Sequence, residues 1–145
     1  MATCAPSLFT ALINTEMGAW NAIESALSEA GNALTLGRFL VLRTVRDTPA
    51  CRIQEVAASQ GITLGAASRL VDRLHRDGLV HRTPCEHDRR ATILRVTDQG
   101  LAHLEEACAI VEKEQERLFA PLSATQREEL ARSLALIAEA VKGRA

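Results

Sequence analysis

Arginine is the residue type whose number and placement could do chemistry in this chain. From Arg38 to Arg95 the sequence contains 11 arginines, no lysine and 6 acidic residues, a net formal charge of +5. The other residues contain 6 basic and 12 acidic side chains, a net of −6, which gives −1 for all 145 residues. A guanidinium group makes paired hydrogen bonds to a phosphate or to the edge of guanine. The middle of the chain is therefore suited to a polyanion, although the whole chain is nearly neutral.

Cysteine and histidine are the other candidates for chemistry. Cys4, Cys51, Cys85 and Cys108 contain no CxxC pair, and only Cys85 and His87 stand two residues apart on one polar segment. A structural zinc site needs about four ligands and a catalytic one about three plus water. We therefore predict no metal and no other cofactor. The sequence also has no G-x-S-x-G, phosphate loop or H-E-x-x-H, so a thiol or metal-dependent enzyme is the least favoured class.

Composition and periodicity predict a mainly α-helical protein. Aromatic residues make up 3% of the chain, whereas sheet proteins are rich in aromatic and β-branched residues. Apolar spacing and capping residues predict helices over residues 7–30, 36–46, 52–59, 64–76 and 98–119, and a last helix capped by Ser123. Two β-prone runs, residues 79–83 and 92–96, flank a polar loop and predict a β-hairpin.

Residues 53–74 have the spacing of a helix-turn-helix motif. Ala57 is a small residue where two helices could cross, and Gly61 supplies the turn four positions later. In such motifs the N-terminal half of the second helix enters the major groove of DNA. The residues that we expect to face outward there, and to contact DNA, are Thr63, Gly65, Ala66, Ser68, Arg69 and Arg73.

With a basic hairpin placed directly after the helix-turn-helix, the chain resembles the MarR family of winged-helix transcriptional regulators. The resemblance is carried by Ile62-Thr63, Ser68–Leu74, Asp77–Arg82, Asp88–Ala91 and Val96–Gly100. It implies a winged helix-turn-helix fold and a homodimer that binds a pseudo-palindromic DNA operator and usually represses transcription. It also implies three segments: a dimerisation helix over residues 1–34, a DNA-binding lobe over 35–97 and dimerisation helices over 98–145.

The resemblance also assigns roles in the hairpin, which would form the wing. The family's Asp-x-Arg falls on Asp88 and Arg90, which implies that Arg90 reaches the minor groove and that Asp88 braces the hairpin through a nearby arginine. Arg82 is our candidate for that arginine, and Arg82 and Arg89 are further candidate DNA contacts. Gly65 departs from the Ser or Pro often found at its position, which removes one possible contact.

A small-molecule effector is the third implication of the resemblance, because the family often binds small aromatic acids between the helical base and the lobe. Met17, Trp20, Phe39 and Cys108 could form apolar walls, and Arg38 or Arg43 could bind a carboxylate. The alternative is a cysteine-based redox sensor of the same fold. That branch pairs a cysteine of the N-terminal helix with tyrosines, and this chain has no tyrosine.

The last two helices contain apolar stripes that predict a dimer. Their positions are Leu101, Leu104, Cys108, Val111 and Leu118, and then Leu130, Leu134, Ile137 and Val141. We expect these stripes to have no partner within one small lobe and to meet in a two-fold dimer. The sequence contains no export signal and no apolar run of membrane-spanning length, so we expect a cytoplasmic protein with reduced thiols.

Overall fold

The computed structural model describes residues 7–88 and 90–143, which form six helices and one β-hairpin. In chain order these are α1 (Leu8–Glu29), α2 (Leu36–Asp47), α3 (Ile53–Gln60), α4 (Leu64–Arg76), β1 (Val80–Pro84), β2 (Thr92–Val96), α5 (Asp98–Phe119) and α6 (Ala124–Lys142). The predicted fold class, a mainly α-helical chain with a small hairpin, is confirmed. Cys4 and Arg89 lie outside the described residues.

Three of the helices begin at the residues that the sequence indicates. The side chains of Thr35, Thr63 and Ser123 each accept a hydrogen bond from a backbone N–H in the first turn of the helix that follows. Such a cap satisfies one of the backbone donors that a helix leaves free at its start. These short-range interactions fix where α2, α4 and α6 begin.

A single hydrophobic core joins the helix-turn-helix to its neighbours. It is built from the inner faces of α2, α3 and α4, the base of the hairpin with Leu94 of β2, the end of α1 and two turns of α5. Leu104 and Val111 of α5 are buried in this core. The expectation that the α5 stripe has no partner within one chain is therefore wrong for these two residues, because α5 packs against α1 and α2.

The hairpin is attached to the lobe at its base. β1 and β2 are antiparallel, with Val80 opposite Val96 and Pro84 opposite Thr92. The hydroxyl of Thr97 donates a hydrogen bond of 2.7 Å to the carbonyl of Gly78. Gly100, in the first turn of α5, lies so close to the hairpin base that an added Cβ would be 2.4 Å from the carbonyl oxygen of Leu79. The start of α5 is thus pressed against the root of the wing.

The two ends of the chain leave large apolar side chains exposed. In α1 these lie between Leu8, which is 91% exposed, and Trp20, which is 40% exposed, while Leu27 near the other end is buried. No residue of α6 is buried, and its stripe of Leu130, Leu134, Ile137 and Val141 is exposed. The described chain thus has one covered apolar core and a second apolar surface with no cover. Within it, no helix combines the length and the apolarity needed to cross a membrane.

Candidate nucleic-acid interface

The turn of the helix-turn-helix has the geometry that the sequence predicts. Gly61 ends α3 in the left-handed region with φ = +62°, where a side chain would be strained. The N–H of Ile62 donates to the carbonyl of Ala57 at 3.1 Å, which closes the turn. Ala57 is buried where α3 packs on α4. The glycine and the alanine together hold α4 in a fixed direction relative to α3.

Helix α4 has one buried face and one polar face. Ala67, Val71 and Leu74 are buried, whereas Gly65, Arg69 and Arg73 are exposed. Of the other predicted contacts, Thr63 is exposed and caps the helix, and Ala66 and Ser68 are half-buried. The N-terminal half therefore carries small side chains and one arginine, next to the exposed Leu64 of the first turn. This combination lets the helix backbone come close to base edges while a guanidinium reaches a base or a phosphate.

The tip of the wing is held by Asp88, through contacts other than those predicted. Its carboxylate accepts a hydrogen bond from the backbone N–H of Arg90 at 3.0 Å, and its carbonyl accepts one from Ala91 N–H at 2.9 Å. Asp88 therefore shapes the turn that presents Arg90, whose side chain is exposed. The predicted pair between Asp88 and Arg82 is wrong.

Arg82 instead connects the wing to the recognition helix. Its Nη2 donates to Oδ1 of Asp72 on α4 at 2.5 Å, and both side chains are partly covered. Position 82 on β1 and position 72 on α4 come together because α4 packs against β1. Sequence reasoning missed Asp72, since ten residues and a turn separate the partners. The pair thus joins the helix to the wing where the two elements pack together.

The residues predicted to line an effector pocket are not all on one surface. Phe39 is 2% exposed in the core, and the guanidinium of Arg43 lies 5.5 Å from the centre of its ring. Met17 and Trp20 are exposed on α1. Arg38 belongs elsewhere, because its guanidinium is bound to the carboxylate of Asp77 at the end of α4. We therefore remove Arg38 from the effector pocket.

The described cysteines differ in environment. Cys51 has no exposed surface, and burial raises the pKa of its thiol to about 11. Cys108 on α5 is half-buried, and its sulfur lies 3.9 Å from Nη1 of Arg46. Arg46 also binds Asp47, which holds the pKa of that carboxyl below its usual value. Among residues 7–88 and 90–143, Cys85 and His87 do not join other side chains in a metal-binding group.

The comparison with known proteins agrees with this geometry. Residues 34–92 match the sequence model of the MarR family. The chain is also 31% identical to the transcriptional repressor CouR, whose structure is bound to a 23-mer DNA duplex. That match covers 90% of this chain and 92% of CouR, with a TM-score of 0.82. The chain belongs to the MarR family. It is a DNA-binding transcriptional regulator with a winged helix-turn-helix.

Two further similar proteins show how far the similarity extends. Over 107 residues the chain is 28% identical to the HTH-type transcriptional regulator BilQ of Clostridium symbiosum. That alignment covers 74% of this chain and 73% of BilQ. A MarR family protein of Mycobacterium tuberculosis, in complex with salicylic acid, is 28% identical with a TM-score of 0.70. This match covers 94% of the present chain and 99% of that one. The similarity therefore includes the terminal helices as well as the lobe.

Proposed function

We propose that this protein is a homodimeric repressor that leaves a pseudo-palindromic operator when it binds a small aromatic carboxylate. The observation that carries the proposal is the joint presentation of α4 and the wing by one lobe with a shared core. Arg69 and Arg73 are exposed on α4, Arg90 is exposed on the wing, and the Arg82–Asp72 pair joins the two elements. Such a lobe can place α4 in a major groove and the wing in the adjacent minor groove.

The exposed apolar surface supports the homodimer. The first half of α1 and the stripe of α6 carry large apolar side chains that the described chain does not cover. Soluble proteins rarely leave a large contiguous apolar surface open. A two-fold axis covers the same surface on both copies and presents two α4 helices to DNA. To enter successive major grooves, the two α4 helices must lie about 34 Å apart. A protein with this task works in the cytoplasm, beside the chromosome.

Two relatives support the repressor role and the effector class. CouR is described as a transcriptional repressor, and the Mycobacterium tuberculosis protein binds salicylic acid. In this chain we assign the effector site to Met17, Trp20, Arg43 and Cys108, with buried Phe39 beneath Arg43. An aromatic ring would contact the apolar side chains, and a guanidinium would bind the carboxylate. A ligand in that site acts by favouring a spacing of the two lobes that does not fit DNA.

The test is a titration of fluorescein-labelled DNA from the region upstream of this protein's own gene. We expect binding at about 10 nM protein or below in moderate salt. Salicylate should weaken that binding and raise the melting temperature of the protein. It should also quench the protein's tryptophan fluorescence, which reports on Trp20 because Trp20 is the only tryptophan. Failure to bind the upstream DNA at micromolar protein would refute the regulatory proposal.

The redox alternative is tested in the same titration. Cys108 lies beside the guanidinium of Arg46, which would stabilise a thiolate, so it is the residue to replace. If aromatic acids leave DNA binding unchanged, while mild peroxide releases DNA from the wild type and not from Cys108→Ser, the effector proposal is wrong. Release by salicylate from both proteins, with no effect of peroxide, supports it.

A further inference from the structure

A cleft lies between the start of α2 and the C-terminal half of α4. Its volume is about 410 Å³, and its lining residues are Thr35, Arg38, Leu70, Arg73, Arg76 and Asp77. Neither Arg76 nor Asp77 belongs to the DNA contacts predicted from the sequence, and Arg38 was expected in the effector pocket. We call this feature the arginine cleft. Three of its six lining residues are guanidinium groups from two different helices.

The arginine cleft has an excess of positive charge. Arg38 donates to the carboxylate of Asp77, which holds it at the cleft. In residues 7–88 and 90–143, neither Arg73 nor Arg76 has a carboxylate within 4 Å, and both are exposed. Three arginines and one aspartate give a net formal charge of +2. The hydroxyl of Thr35 accepts from the backbone of α2 and keeps its proton free to donate. The guanidinium groups and the Thr35 hydroxyl can therefore donate hydrogen bonds to a bound anion.

The position of the arginine cleft on α4 indicates which anion. Arg69, Arg73 and Arg76 follow each other at steps of four and three, so they form a row on one face of the helix. Arg76 stands about 10 Å along the axis from Arg69. A helix about 10–12 Å wide fills the major groove, which is about 12 Å across. When the N-terminal half of α4 is in the groove, the C-terminal half reaches the rim, where the phosphates are.

We propose that the arginine cleft binds a backbone phosphate of DNA at the rim of the major groove, an inference that rests on the proposed operator binding. Arg73 and Arg76 donate to the phosphate oxygens, and Asp77 keeps Arg38 beside them. A small carboxylate effector shares this chemistry, but among the described residues that line the cleft Leu70 is the only apolar one. An aromatic ring would find little to pack against. The phosphate contact positions α4 on the duplex and carries no sequence preference.

The experiment compares the wild type with Arg76→Ala by fluorescence anisotropy, at several salt concentrations, on the upstream DNA and on an unrelated duplex. A contact with phosphate is independent of sequence, so both affinities should fall by the same factor, about tenfold at low salt. Because the proposed dimer has two such clefts, the slope of log K against log salt should become shallower by about 2. Arg76→Lys keeps the charge and should retain most of the affinity.

Arg132→Ala is the matched control, because Arg132 is exposed on the side of α6 opposite its apolar stripe. It should change neither affinity nor slope. A second variant, Arg73→Ala, should repeat the Arg76→Ala result with an unchanged melting temperature. In each half-site, ethylation of one particular phosphate should block binding of the wild type. The same ethylation should not affect binding of Arg76→Ala.

Four outcomes would overturn the proposal. An Arg76→Ala protein with wild-type affinity and salt slope places no phosphate in the cleft, while operator binding by the wild type would still stand. A loss confined to the upstream DNA would make Arg76 a base-reading residue. Unchanged DNA affinity together with loss of salicylate-induced release would assign the cleft to a small anion. Failure of the wild type to bind either duplex would refute the proposed function, and the cleft's role with it.

Discussion

The winged-helix lobe and the terminal helices treat their apolar residues in opposite ways. In the lobe, α4 turns Val71 and Leu74 into a core that the same chain completes, and its polar face stays free. In α6 no residue is buried, and the stripe that includes Leu134 and Ile137 faces outward. Both helices are amphipathic, yet only one finds its partner within the chain. The apolar residues of the lobe thus stabilise the fold of one chain, whereas those of the terminal helices remain available for contact with a second chain.

Helix α5 belongs to both regions and marks where one passes into the other. Leu104 and Val111, in its first two thirds, lie in the lobe core, whereas Phe119 at its end is exposed. Removing everything after Thr97 would therefore take core residues from the lobe. Such a truncation tests folding rather than dimerisation. A single charge placed on α6 separates the two regions cleanly.

The largest effect should come from Ile137→Glu. Ile137 is 46% exposed in the single chain, and the proposed dimer covers it. An uncompensated buried charge costs about 3–5 kcal/mol, and the two-fold axis would introduce two. Light scattering should give twice 15.7 kDa for the wild type and the mass of one chain for the variant, with helical circular dichroism retained. Arg132→Glu, on the opposite side of α6, should remain a dimer. A dimeric Ile137→Glu protein would contradict the assembly that we propose.

Leu74→Ala tests the lobe in the corresponding way. Leu74 has no exposed surface, and truncating a buried leucine costs about 2–5 kcal/mol through lost burial and the cavity left behind. Urea unfolding should show this loss. The same change at Leu64, which is exposed on the first turn of α4, should cost less than about 0.5 kcal/mol. Equal effects of the two variants would mean that α4 packs on the lobe through a different face.

The sequence predicts the elements of both regions well because their signals are local. Thr35, Thr63 and Ser123 act as caps within their own first turn, and Gly61 sets the turn between α3 and α4. Apolar periodicity then shows which face of each helix is buried. Periodicity does not show what covers that face, and for this reason Leu104 and Val111 were expected at a dimer contact instead of the core.

Partners in ion pairs and close contacts are the part that local signals do not specify. Arg82 had several acidic residues within reach in sequence, and only the packing of α4 on β1 selects Asp72. Arg38 and Asp77 are 39 positions apart and meet because the ends of two helices do. The close approach of Gly100 to the carbonyl of Leu79 likewise depends on how α5 crosses the hairpin. One signal was readable: the spacing of Arg69, Arg73 and Arg76 already places them on one face.

Arg90→Ala should have a smaller effect, confined to DNA binding. Arg90 is exposed at the wing tip, where Asp88 fixes its backbone, so its loss leaves the fold intact. We expect operator binding to weaken by about 1–3 kcal/mol, with a salt slope shallower by about one unit per wing. Arg117→Ala, an exposed change on the last turn of α5, should bind normally. Unchanged affinity and slope in Arg90→Ala would remove the wing from the interface.

The effect that is smallest near neutral pH separates the buried thiol of the lobe from the half-buried Cys108. Cys51 is fully buried, and burial raises the pKa of its thiol from 9.0 to about 11. Above pH 9 the unfolded chain releases this proton while the folded chain keeps it, so stability must fall as pH rises from 9 to 11. The loss should be at most about 1.4 kcal/mol per pH unit, and near pH 7 it should vanish. Cys51→Ala should lack this part of the pH dependence.

At pH 8 iodoacetamide should modify Cys108 much faster than Cys51, because Cys51 is buried. Equal rates would show that the lobe core opens where the structure has it closed.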